Sequence, residues 1–233
     1  MIENMPPPLP APRRVVEFSN GSLLAVHEYS SVQECARLTA PLLEVPTVGL
    51  SGGSTYATLF PLWAQLHPRC HATSFFPVDE RMVPFNEPAS NWGAAQQLFF
   101  GPLGLRDQAA NHPTTRAGFL ERLSSRFGTG IPRFDVLFLG VGDDGHTASL
   151  FPGTAYPDDC DNVVLQTVSP KPPTDRLTLG PAVLREARCV ALIVAEAGKA
   201  AVVSSIYAGD QTLPIVQVLR SRPRSDLFVA EAA

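Results

Sequence analysis

The stretch "FLGVGDDGHTASLFPG" sets Asp143, Asp144 and His146 among glycines, just past an apolar run. A histidine with an ordinary pKa of about 6.5 can take a proton from water near neutral pH. A carboxylate beside it fixes the tautomer and stabilises the imidazolium that results. General-base chemistry on a water molecule is therefore the first expectation, with His146 as base and Asp144 as its orienting partner. Asp144 is equally suited to shaping the turn. A metal site fits this pattern poorly, because Asp-x-His has no second histidine nearby. The other histidines, His27, His67, His71 and His112, lack these surroundings and read as structural or exposed.

A second polar stretch, "TVGLSGGSTY" at 47–56, has two incompatible readings. Gly49, Ser51 and Gly53 match the G-x-S-x-G spacing of a serine-hydrolase elbow. Alternatively, Ser51, Gly52, Gly53, Ser54 and Thr55 form a turn between a strand and a helix. Its glycines allow close backbone approach, Ser54 or Thr55 caps the helix, and the N–H groups there favour a phosphate. A plain capped turn has the same residues. The elbow requires a sheet several strands deep before the nucleophile, whereas Ser51 follows only about two strands. The sequence favours a loop residue over a nucleophile.

Two further clusters supply cations. "FFPVDERMVPFNEPASNW" places Asp79, Glu80 and Arg81 beyond a strand, where Arg81 can fork onto a phosphate or carboxylate. Asp79 can bond sugar hydroxyls or hold Arg81. "TVSPKPPTDRLTLGPAVL" presents Lys171 and Arg176 in a loop stiffened by proline. Each cluster is also consistent with a solvated surface loop. Together the three cations suit a dianionic phosphate, with Lys199 of "EAGKAAVV" a weaker addition.

These groups need a scaffold. The 233 residues are 45% hydrophobic and 17% charged, which supports a sizeable core and excludes global disorder. A net charge of −4 and a pI near 5.7 give no footprint for nucleic acid. Cys35, Cys70, Cys160 and Cys189 lie far apart, as reduced thiols do in a cytoplasmic protein. "MIENMPPPLPAPRR" lacks the apolar core of a secretory signal, and its prolines imply a poorly ordered tail over 1–13. No run has the length of a membrane span.

Apolar runs at 14–18, 47–50, 72–78, 134–141, 162–168, 189–195, 214–219 and 226–232 read as strands. Segments 31–45, 54–66, 89–100, 115–127 and 198–209 read as helices, with Pro61 threatening a kink in the second. The alternation predicts one α/β domain over 14–233: a Rossmann-like, doubly wound, mainly parallel sheet with helices on both faces. In such sheets ligands sit at the carboxyl ends of the strands, near a switch in strand order. All four polar clusters are expected to converge there.

In order and content, "LSGGST", "DERMVPFNEPASNW", "FDVLFLGVGDDGHTASLFPG", "SPKPPTDRLTL" and "AGKAAVV" resemble the 6-phosphogluconolactonase family, within the wider sugar-phosphate isomerase and lactonase superfamily. The resemblance implies hydrolysis of 6-phospho-D-glucono-1,5-lactone to 6-phosphogluconate, the second step of the oxidative pentose phosphate pathway, with no cofactor. It implies a small sugar-phosphate lactone as partner; charge and hydropathy point to no nucleic acid and no membrane, and the expected assembly is a monomer or weak homo-oligomer. It assigns the base to His146 and substrate binding to the 51–55 loop, Arg81, Lys171 and Arg176. Tyr56 departs from the proline that many relatives carry after "GGST". The deaminase branch of the superfamily continues after its histidine with a glutamate-containing segment. Here "HTASLFPG" has no acid from Thr147 to Ala155.

Overall fold

The computed structural model describes residues 7–195 and 197–231. Residues 1–6 of the expected tail lie outside this range. Beyond them, Leu9 packs on the core and the Arg13 N–H donates to the Val26 carbonyl at 2.8 Å.

Seven strands form the main sheet: β1 (Arg14–Glu17), β2 (Leu23–Tyr29), β3 (Thr47–Leu50), β4 (Ser74–Pro77), β6 (Val136–Leu139), β9 (Cys189–Val194) and β10 (Arg224–Ala230). Their spatial order is β1-β2-β10-β9-β6-β3-β4. Every pairing is parallel except β1 with β2. A second sheet, antiparallel, runs β5 (Asp79–Arg81), β8 (Asp175–Leu179) and β7 (Val164–Val168).

The central strands β3, β6 and β9 are buried along their whole length because both faces are covered. Val136 and Phe138 of β6 join one apolar cluster with α1 (Val32–Thr39), α2 (Ser54–Gln65) and α3 (Asn91–Ala95). Leu137 and Leu139 join the other with α4 (Arg116–Phe127), α5 (Pro181–Glu186), α6 (Ala200–Ala208) and α7 (Pro214–Arg220). Pro61 lies inside α2 without ending it. Among the described residues no helix is long and apolar enough to cross a membrane.

Three features depart from the sequence reading. Segment 214–219 is the helix α7, not a strand. Pro214 sits at its first position, where a missing N–H costs nothing, and Ile215, Val216, Val218 and Leu219 bury one helical face. Strand β2 was not anticipated, because His27 and Glu28 interrupt its apolar character. The His27 Nε2 is paired with Asp226 at 3.0 Å inside the sheet. The polar segments around Arg81 and Arg176 are not loops at those residues but strands β5 and β8.

The order reverses between β3 and β6. From β3 the chain moves outward to β4, whereas β6, on the other side of β3, leads through β9 to β10. The crevice beyond the carboxyl ends of β3 and β6 is the switch point.

Candidate active site

A cleft of about 560 Å³ opens at that switch point. Its lining includes Ser51, Gly52, Gly53, Ser54 and Thr55 after β3, Asp79 and Arg81 of β5, and Asp144 and His146 after β6. Lys171 and Arg176 complete the set of residues expected from sequence, and all eleven line this one space. Sequence reasoning had left out Asn91, Gly140, Gly142 and Ser169, which also line it, and had ranked Lys199 low. Asn91 sat unremarked in the polar stretch following Arg81.

The turn after β6 is wound tightly around its histidine. The Gly142 N–H donates to the His146 carbonyl at 2.9 Å, and the Gly145 N–H to the Gly142 carbonyl at 3.0 Å. Gly145 has φ +80°, which a side chain would strain. Leu213 packs against it, and the Ile215 N–H at the start of α7 donates to its carbonyl at 3.2 Å. Asp144 Oδ1 accepts from the His146 backbone N–H at 3.2 Å and lies 2.5 Å from the ring Nδ1. Burial raises the Asp144 carboxyl, but the hydrogen bonds and charge of His146 outweigh it and hold the group below the usual carboxylate range. A carboxylate only accepts, so the neutral tautomer that fits this contact has its proton on Nδ1 and its lone pair on Nε2. The Phe151 ring, 5.2 Å away between centroids, packs against the imidazole.

Asp143, next in the turn, is exposed and pairs with Lys199 Nζ at 2.7 Å. That ammonium also donates to the Val141 carbonyl at 3.1 Å. The hydrogen bond from Lys199 holds the Asp143 carboxyl below its ordinary range.

The loop after β3 is not an elbow. The Ser51 hydroxyl is buried with no hydrogen-bond partner among the described residues, whereas a nucleophile requires a base within reach. Gly53, at φ +86°, is the residue that starts α2, so neither Ser54 nor Thr55 is its cap. Gly53 has no side chain to cap the helix, which gives its first turn the donor character that suits a phosphate. Tyr56 is fully buried, its ring 6.0 Å from Phe60 and 6.1 Å from Trp63 between centroids. It anchors α2 while keeping a backbone N–H that proline would lack. Gly52 is required by contact: a Cβ there would sit 2.1 Å from Asn91 Oδ1.

The cations come from the small sheet. Arg81 and Arg176 are cross-strand partners in the β5–β8 pair. Arg81 Nη1 donates to the Ala89 carbonyl at 2.9 Å, and its Nε is buried without a partner among the described residues. Arg176 Nε donates to the Pro173 carbonyl at 2.8 Å and Nη2 to Ser169 Oγ at 3.3 Å. Lys171 is exposed at the rim. Asp79 does not grip Arg81. Its carboxylate accepts from Ser149 Oγ at 2.7 Å, joining β5 to the segment after His146. Among the described residues no group of three or more His, Cys, Asp or Glu side chains is placed to hold a metal ion.

The sequence profile of the family described as glucosamine-6-phosphate isomerases/6-phosphogluconolactonase matches residues 25–228. The 6-phosphogluconolactonase of Bos taurus is 34% identical over 241 residues, covering 96% of this chain and 93% of the bovine one. The 6-phosphogluconolactonase of Homo sapiens is 33% identical with the same coverage. Among solved structures, the 6-phosphogluconolactonase of Trypanosoma brucei superposes with a TM-score of 0.69 at 28% identity, over 89% of this chain and 96% of that one.

Proposed function

The chain belongs to the glucosamine-6-phosphate isomerase/6-phosphogluconolactonase family, and from that premise we propose that it hydrolyses 6-phospho-D-glucono-1,5-lactone to 6-phosphogluconate, in the oxidative branch of pentose phosphate metabolism. The observation that carries this reading is the His146–Asp144 contact at the rim of a cleft whose other wall holds two guanidinium groups. It pairs a base for water with cations for a phosphorylated, charge-developing substrate.

A δ-lactone is already an activated ester, so water can attack it without a covalent enzyme intermediate. His146 Nε2 takes a proton from water, and the hydroxide adds to C1. Asp144 keeps the Nδ1 proton in place and stabilises the imidazolium. Arg81 stabilises the negative charge that develops on the carbonyl oxygen. As the C1–ring oxygen bond breaks, the imidazolium returns its proton to the departing alkoxide, giving the open hydroxy acid. Arg176, Lys171 and the uncapped start of α2 hold the distant phosphate, turning its binding into orientation at C1.

The segment after His146 supports the lactonase over the deaminase branch of the family. Thr147 and Ser149 are fully buried, bonded to the Gly140 carbonyl at 2.8 Å and to Asp79 at 2.7 Å. Neither supplies the carboxylate that ring opening and proton traffic on an amino sugar require. Purified protein offered each substrate separately tests the proposal. The expected result is lactone opening well above the spontaneous rate and no ammonia from glucosamine 6-phosphate. Lactone opening at the spontaneous rate, or ammonia release, overturns it.

A further inference from the structure

Glu80 is the most deeply buried carboxylate of the small sheet, with no exposed surface. Burial raises its pKa, against the lowering effect of the backbone N–H groups that face it. Its Oε1 accepts from the backbone N–H of Arg81 at 2.7 Å and of Asn91 at 2.8 Å. Its Oε2 accepts from Ser90 Oγ at 3.1 Å and the Trp92 N–H at 2.7 Å. One carboxylate thus clasps the end of β5 to the first turn of α3 and closes the connection between them.

The clasp lies next to the anchor of a cleft cation. Arg81 Nη1 is held by the carbonyl of Ala89, the residue immediately before the three that Glu80 binds. Asn91, fixed through its own N–H, donates from Nδ2 to the Asp79 carbonyl at 3.2 Å and lies against Gly52. Arg81 spans from one end of this closed segment to the other. A loosened segment would carry the Ala89 carbonyl away, and the guanidinium would lose the one acceptor it has among the described residues.

We propose that Glu80 is a positioning residue for catalysis: by clasping Arg81 N–H to residues 90–92 it holds the Ala89 carbonyl where it aims the Arg81 guanidinium into the cleft. This rests on the role given above to Arg81. The competing reading is that Glu80 only supplements the start of α3 and matters for stability alone.

A double-mutant cycle on the intact protein separates the two, with kcat and KM for the phosphorylated lactone measured alongside thermal midpoints. Glu80→Gln places an amide N–H against the four groups that donate to the carboxylate. In the wild-type background it should lower kcat by roughly 10-fold or more, and in an Arg81→Lys background by less than about twofold. The fall in thermal midpoint should be the same in both. Equal loss of kcat in the two backgrounds overturns the proposal while leaving the role of Arg81 intact. Wild-type kcat in Arg81→Lys refutes the role of Arg81, and the proposal with it. Should Glu80→Gln not fold, Ser90→Ala removes one of the four donors and enters the same cycle, with the same non-additivity expected. An additive result there overturns the proposal equally.

Discussion

Arg81 of β5 and Arg176 of β8 face each other as direct partners in an antiparallel pair. Like charges directly opposite are destabilising. Both arms are anchored to carbonyls, so the repulsion is not relaxed by moving apart. Burial, then the charge of Arg81, holds the Arg176 guanidinium below its ordinary range. A bound dianion relieves this repulsion.

Phosphate binding should therefore be measurable as stability. At inorganic phosphate about 100 times above its dissociation constant, the gain is about 2.7 kcal/mol, read as a rise in Tm. Arg176→Ala should remove most of that rise and increase KM for the lactone, with a smaller effect on kcat. An undiminished phosphate shift in the variant would locate the anion elsewhere.

His146→Ala removes the base and leaves the cations. General-base catalysis contributes about 10²- to 10⁴-fold, so kcat should fall by that factor while KM changes little. Retention of wild-type kcat by the purified variant rules out the proposed role.

Asp144→Asn keeps an oxygen for the His146 backbone N–H but removes the charge beside Nδ1. We expect a lower kcat and a loss of stability with a defined pH dependence. Asp144 is held below its ordinary range in the fold, so its contribution is complete at neutral pH. It disappears as pH falls through the depressed value. Denaturant midpoints of wild type and variant should differ at neutral pH and converge on the acid side; a gap that widens with acidification contradicts the assignment.

Gly142→Ala tests the closeness of the histidine turn. Its Cβ would lie 2.0 Å from His146 Nδ1 and 2.7 Å from Asp144 Oδ1. The ring must move, and a displacement of about 1 Å costs roughly 10²-fold in rate. The clash falls on the partly exposed side chains of His146 and Asp144 rather than on the apolar core, so Tm should change little while kcat falls. Wild-type turnover in this variant would show that the ring position is not critical.

Much of the fold was legible because parallel strands buried on both faces are continuous apolar runs. Runs at 47–50 and 189–195 fell on β3 and β9, and 54–66 on α2. Segment 214–219 misled because "IVQVL" is rich in β-branched residues. The helical signal was present in Pro214 and in the spacing of Ile215, Val216, Val218 and Leu219. Strands β5 and β8 were hidden by their composition. Short and carrying charges into a cleft, they resemble loops until their pairing is known.

The sequence by itself determined which chemical groups this protein has and that they cluster at strand ends, because composition and periodicity are local properties. It carried the histidine proposed as base, the carboxylate beside it, the glycines that admit them and three cations. Only the tertiary structure decided who faces whom. The β5–β8 register sets two arginines opposite each other, Asp79 bonds Ser149 across the segment after His146, and Glu80 is a buried clasp. Those relationships arise from pairing between segments about a hundred residues apart in the case of β5 and β8. No local pattern records such a register, since it is fixed by which faces the whole fold buries.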